Sequence, residues 1–400
     1  MNYRDRNYYV SHALALQVLI MWGKVILMQG MPVFYQNQSL LNYVSFGVVA
    51  FIYLPVVLQF PSFFGKMQIA FIIDAFLIIV CIFSIWIYPE NSSEICSNLL
   101  WTIGYCFLPF HFILTLDSLE ILCKYMTRYS YYLILISLLS SFFILTIGHT
   151  TVSTWTTYSM PLSYGTMYAV MWLLWDFFNN HNNKSLVFAG IGTVIICIVG
   201  SRNPLLAITT YVIIMLIKSC RSKKNAVFFA AMLPICFLIV LNFQFVLNQV
   251  IVRLDSIGIS SRTLSLLSQG NAVTYDSRNS IHSTLFDALN KHPVFGLGIG
   301  GDVVSTGEMA HSLYLSILSN FGYFLGGIII IVFLYICVKA ISTQNQLNKS
   351  VAILYICIVL PRSFTGGDIW GNDAFWWLIA ICFICIKTRF SNYSLQESKE

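Results

Sequence analysis

Runs of about twenty mostly apolar residues recur along nearly the whole chain, and that is the length a helix needs to cross a bilayer. Twelve such runs are read: 12–29, 40–59, 67–88, 98–116, 130–148, 160–178, 185–200, 203–219, 225–245, 312–338, 350–361 and 373–387. The seventh, eighth and eleventh are short, so these helices are expected to tilt or break. The 400 residues are 58% hydrophobic and 10% charged, against about 25% charged in ordinary soluble domains. The expected fold is an all-α polytopic membrane protein of about twelve transmembrane helices. Its parts are a bundle over 1–245, a large loop with short helices over 246–311, and helices with a polar tail over 312–400. Met1–Val10 is polar and no small-residue cleavage site follows the first apolar run, so no cleavable signal peptide is expected.

The cations orient this arrangement. With twelve spans and a cytoplasmic N-terminus, 15 of the 22 Lys and Arg fall on the cytoplasmic side and six on the external side, with Lys24 inside a span. The first three external loops, 30–39, 89–97 and 149–159, hold no Lys or Arg. Such a bias fits the positive-inside rule. The net charge of +6 is thereby accounted for by membrane-facing loops, and no nucleic-acid partner is implied. Of the 11 cysteines only Cys96 lies in an external loop, so no disulfide framework is expected. Cys382 and Cys385 have the spacing of a redox pair, but within an apolar helix they read as small packing residues.

One segment is not explained by membrane burial. Residues 292–327 read HPVFGLGIGGDVVSTGEMAHSLYLSILSNFGYFLGG. Four glycines, at 296, 298, 300 and 301, allow positive φ and close backbone approach. His311 then stands before an apolar run. A titratable group where water meets lipid, beside a glycine-rich turn, suits chemistry on a membrane-embedded substrate. The plainer reading is a histidine that only caps a helix. Upstream, Ser280–Leu289 places Ile281, Leu285 and Leu289 at helical spacing, with Asn279 or Ser280 to cap it, which predicts a short surface helix.

External cations cluster in the second half. Arg202 lies in Gly200-Ser201-Arg202-Asn203-Pro204, where the proline starts a helix. A helix N-terminus attracts anions, and arginine adds bidentate phosphate recognition. The plainer reading is an interfacial snorkelling arginine. Arg278 sits before the short loop helix, with a salt bridge to Asp276 as its alternative. Arg253 and Arg262 rank lower, facing solvent or headgroups. Arg362 has Asp368 nearby, and a structural ion pair is its leading reading. No acidic metal cluster is apparent, and neither metal nor cofactor is expected. Together, arginines, a glycine turn and a histidine on one side suit a lipid-linked pyrophosphate sugar. The arginines would clamp the leaving group and the histidine would take a proton from the acceptor hydroxyl.

In this arrangement residues 185–340 resemble the bacterial O-antigen polymerase and ligase superfamily of membrane glycosyltransferases. The matching features are Ser201-Arg202 opening a helix, Arg278 in the large loop, Pro293-Val294-Phe295-Gly296-Leu297-Gly298, and His311 opening the next helix. The histidine is usually followed by asparagine in that family, and here by Ser312. The resemblance implies a GT-C-like, metal-independent inverting glycosyltransferase of the inner membrane, with its active site facing the periplasm. The donor would be an oligosaccharide on undecaprenyl pyrophosphate. Arg202 and Arg278 would hold the pyrophosphate, His311 would act as base, and Ser201, Gly296, Gly298, Ser312, Arg253 and Arg262 would support them. A chain-length regulator and a flippase are the partners implied, besides membrane lipid.

The acceptor divides the family. A polymerase extends another undecaprenyl-linked repeat unit; a ligase transfers to lipid A core. Richness in Tyr, Phe and Asn, and Ser312 in place of asparagine, favour the polymerase. A lipid-linked glycan transporter is the competing class, but it would carry charges along its spans, where, apart from Lys218, Asp373 and Lys387 at span ends, only Lys24, Asp74 and Asp176 are found. A non-catalytic assembly partner would not need Arg202, Arg278 and His311 together.

Overall fold

The computed structural model describes residues 3–58, 64–147, 159–219, 243–256, 264–265, 268 and 276–397. All regular structure among these residues is helical. The predicted span over 225–245 lies almost wholly outside them, as does Arg262. Among the described residues, six helices are long and apolar enough to cross a membrane: Arg6–Gly30, Gln38–Val57, Gly65–Ile87, Glu120–Leu145, Leu313–Ile341 and Gln346–Phe364.

In chain order the helices are α1 (Tyr3–Gly30), α2 (Pro32–Gln36), α3 (Gln38–Val57), α4 (Gln68–Ile87), α5 (Ser92–Trp101), α6 (Leu108–Leu114), α7 (Glu120–Ile147) and α8 (Met160–Asn180). There follow α9 (Asn183–Val199), α10 (Arg202–Ser219), α11 (Phe243–Ser256), α12 (Asp276–Lys291), α13 (Gly301–Thr306), α14 (Leu313–Ile341), α15 (Gln346–Thr365) and α16 (Asp373–Glu397). They form two compact units. One comprises 1–14, 50–122 and 275–400; the other comprises 15–49 and 123–274.

The second unit is built on the α8–α9 hairpin. The Ser159 hydroxyl accepts the Leu162 amide at 3.3 Å, and a proline in the first turn completes a strong start for α8. His181 ends α8 in left-handed backbone at φ 55°, and Asn182 caps α9 by accepting the Lys184 amide. Small residues let these helices close up: a Cβ on Gly192 would lie 2.5 Å from Val170 and 2.6 Å from Ile134. Asp176, read from sequence as an intramembrane charge, accepts from Asn180, Asn182 and Ser185, so it serves the hairpin's end.

The first unit packs α16 against α6, α14 and α15. Tyr355 and Trp377 stack there at 5.8 Å and 8°, both fully buried. The predicted span at 98–116 is not one straight helix. α5 and α6 are separated by a π-helical turn, Thr102–Phe107, and Pro89–Leu99 meets Thr102–Leu114 at a bend of 52°. Pro109, which cannot donate to the helix ladder, sits just past that turn. The predicted span at 312–338 is also broken, at Gly322, where φ is 77° and ψ 173°.

Candidate active site

The break at Gly322 explains the glycine turn. In a continuous helix Tyr323 would donate to the Ser319 carbonyl. Here Tyr323 donates to Pro293 O at 2.9 Å, and the vacated Ser319 O accepts from Leu297 N at 2.6 Å. Segment 293–297 therefore fills both backbone groups that the kink exposes, as buried amides and carbonyls require. The approach is so close that a Cβ on Gly296 would lie 2.4 Å from Ser319 O, and one on Gly322 would lie 2.2 Å from Val294 O.

Side chains complete this junction. Tyr88 donates to Gly296 O at 2.7 Å, Asn91 donates to Leu297 O at 2.9 Å, and Ile299 N donates to Ser84 Oγ at 2.8 Å. Asn320 Oδ1 accepts both Gly300 N at 3.2 Å and Trp370 Nε1 at 3.1 Å. From sequence, the glycines are expected to let the backbone approach a partner closely. Among the described residues, the partner of Gly296 and Gly298 is the protein's own α4 and α14.

Beyond the turn, α13 carries the buried Asp302. Its carboxylate accepts the Ala310 amide at 3.2 Å. Burial raises the Asp302 pKa to about 6; the Asp368 charge pushes the same way, while the Ala310 and Val303 amides pull it down. Ala310 itself is fully buried, in a cluster with Leu285, Leu297 and Leu315. On its other side, the Ala310 carbonyl lies 3.0 Å from His282 Nε2, an arrangement that fixes the proton on that nitrogen.

His311 follows. Its φ is 51°, left-handed for a residue with a Cβ, a conformation that costs roughly 1–2 kcal/mol. The imidazole is 38% exposed, and its Nε2 stands 3.6 Å from Glu308 Oε2, in ion-pair range but too long for a hydrogen bond. The capping reading of His311 is corrected. Ser312 is the N-cap of α14, its hydroxyl accepting the Leu315 amide at 3.4 Å while donating to Ser363 O at 3.2 Å. That second bond seats the start of α14 on the last turn of α15, next to Arg362. Arg362 interacts electrostatically with both Asp368 and Asp373, one more carboxylate than the sequence assigned to it.

The first unit also holds an apolar groove of about 540 Å³. It runs from Met67, just before α4, and Asp74 on α4, past Leu77, Ile103, Phe107 and Phe112, to Glu94, Asn98, Ile299, Gly300 and Trp370. Its walls are α4 and the bent α5–α6 pair, joined by Val57 of α3, by Ile299 and Gly300 of the glycine turn, and by Trp370. One ion pair interrupts the apolar wall: His111 Nε2 lies 2.6 Å from Asp74 Oδ2, and its Nδ1 lies 2.6 Å from the Phe107 carbonyl. Nothing in the residue pattern signalled this groove, because its lining comes from five separated stretches.

The remaining site residues are placed as follows. In the second unit, Arg202 is the first residue of α10, half-buried. Its neighbours dock on α8: Ser201 N donates to Ser163 Oγ at 3.1 Å, and Asn203 donates to Tyr164 OH at 3.3 Å. A Cβ on Gly200 would lie 2.6 Å from the Ser163 Cβ, so this approach needs glycine. Arg253 is in the last turn of α11 and exposed. Arg278 is the third residue of α12, and its side chain lies outside the described part. Helix α12 bears out the amphipathic helix read over 280–289. Leu285 and Leu289 are fully buried.

No curated protein matches the chain. The family comparison does: the model described as O-antigen ligase matches residues 186–332, a stretch that takes in Arg202, Arg278, the glycine turn and His311. This match indicates a glycosyltransferase-like class acting on lipid-linked glycans in a membrane. Residues 186–332 are thus similar to the family described as O-antigen ligase, consistent with the O-antigen polymerase and ligase superfamily.

Proposed function

We propose that the protein is an O-antigen polymerase, transferring a glycan from undecaprenyl pyrophosphate to another undecaprenyl-linked repeat unit at the periplasmic face of the bacterial inner membrane. The observation that carries this reading is the state of His311. It is partly exposed, held in a costly backbone conformation, and relieved of capping by Ser312. Such strain is kept where the surroundings enforce it, commonly at functional sites. In this reading the imidazole takes the acceptor hydroxyl's proton as the hydroxyl attacks the anomeric carbon. Arg202 and Arg278 hold the departing pyrophosphate and stabilise the charge that develops on it. The groove of about 540 Å³ receives part of the polyprenyl chain, since its lining is apolar and one end adjoins Gly300. The twelve-span topology, with residues 246–311 external, belongs to the same proposal, as do a chain-length regulator and a flippase as partners.

The family description favours a second reading, ligation to lipid A core. One assay separates them. Purified protein is given an undecaprenyl-pyrophosphate repeat unit, with and without lipid A core. A ladder of longer lipid-linked products supports polymerase. Single transfer to core with no ladder supports ligase. No product with either acceptor would overturn both.

A further inference from the structure

We propose that Asp302 and His282 are positioning residues that clamp the backbone on both sides of Ala310 and so hold His311 in its left-handed conformation. This rests on the reading of His311 as the base and goes beyond it, because neither residue reaches the reacting atoms. Three observations converge. The buried Asp302 carboxylate accepts the Ala310 amide at 3.2 Å, and His282 Nε2 donates to the Ala310 carbonyl at 3.0 Å. The residue so gripped is fully buried and immediately precedes the one at φ 51°. The next residue is fixed too, since Ser312 caps α14 and donates to Ser363 O.

The grip comes from two different helices. Asp302 is on α13 and His282 on α12. Left-handed backbone at a residue with a Cβ relaxes unless its surroundings over-determine it. A buried amide and carbonyl that lose their partners also seek new ones. Removing His282 therefore frees the 310–311 peptide, and removing Asp302 the 309–310 peptide before it, and either lets the backbone at 310–311 relax towards an ordinary extended conformation. The imidazole then swings from its place. Misplacement of a catalytic group by about 1 Å costs on the order of 10²-fold in rate.

Replacements can keep or delete each bond separately. The amide oxygen of Asp302→Asn still accepts, and the amide nitrogen of His282→Gln still donates; Asp302→Ala and His282→Ala do neither. The full-length protein is purified in detergent for each variant, and kcat and KM are measured on an undecaprenyl-pyrophosphate repeat unit. Amide hydrogen exchange is followed in the peptide covering Ala310–Ser312. We expect each alanine variant to lose roughly 10–10²-fold in kcat, with KM for the donor unchanged and faster exchange at 310–312. Asp302→Asn and His282→Gln should recover most of kcat and the slow exchange. The double alanine variant should lose little more than either single one, because both act on the backbone of one residue. Exchange unchanged in both alanine variants would overturn the clamp, whatever the activity shows. Equal kcat loss in Asp302→Asn and Asp302→Ala would also overturn it. Full activity in His311→Ala would sink the base reading instead, leaving the exchange result to judge the clamp alone.

Discussion

The Tyr323 amide bonds to the Pro293 carbonyl at 2.9 Å, not to the Ser319 carbonyl four residues back that a continuous helix would offer. That substitution joins the glycine turn to the break in α14. It predicts that Gly322 is intolerant. Gly322→Ala must place a Cβ at φ 77° and 2.2 Å from Val294 O, so we expect roughly 2 kcal/mol or more of lost stability. Gly327→Ala, with nothing within 4 Å of its Cβ position, is the control. Thermal unfolding in detergent should show a clear drop for the first and little change for the second. Equal melting temperatures would contradict the junction as described.

Separating cap from base at the start of α14 gives the second prediction. Ser312→Ala removes the hydroxyl that accepts Leu315 N, and should cost about 1 kcal/mol of stability. His311→Ala should leave stability nearly unchanged but lower the transfer rate by roughly 10²–10⁴-fold. His311→Asn should be as inactive as the alanine variant, since Ser312 already holds the cap. Wild-type product ladders from His311→Asn would remove His311 from the chemistry.

Arg202 tests anion recognition. Arg202→Lys keeps the charge and loses the planar fork that grips a phosphate at two points. We expect normal membrane insertion, weaker donor binding and strongly shortened polymer. Unchanged donor affinity and polymer length would exclude it from the site.

The pH dependence of stability has a defined sign at Asp302. Its pKa is raised from 3.8 to about 6 in the folded protein, chiefly by burial, with the Asp368 charge adding to it. Between those values the folded state keeps a proton that the unfolded chain releases. This contribution is therefore fully present below about 3.8, is lost as pH rises, and is gone above about 6. Asp368, likewise raised chiefly by burial, acts in the same direction. Asp302→Asn should accordingly melt higher than the natural protein at pH 7.5, and the difference should close at pH 4. A difference that widens on acidification would contradict this sign.

Orientation is tested by labelling. A cysteine introduced at Gly270, in the loop read as external from the Lys and Arg distribution, should react with an impermeant maleimide in intact spheroplasts. Reaction only after permeabilisation would reverse the topology.

What the sequence determined by itself is local. Apolar runs and caps fixed helices such as Met160–Asn180 and Arg202–Ser219 close to where they are found, because helix formation depends on neighbours within a few residues. The spacing of Ile281, Leu285 and Leu289 likewise foretold α12, and His311 could be singled out because a titratable residue is rare beside an apolar run. Tertiary structure decided everything that joins distant stretches. Ser84, Tyr88 and Asn91 grip the glycine turn from some two hundred positions away in the chain. Asp302 and His282 meet on Ala310, and the groove takes its wall from α4, the bent α5–α6 pair, the glycine turn and Trp370. The break at Gly322 was not legible either, since it is held open by a group from another part of the chain, the Pro293 carbonyl facing Tyr323. A helix breaks where an outside donor or acceptor replaces its own, and no pattern within the helix records that partner.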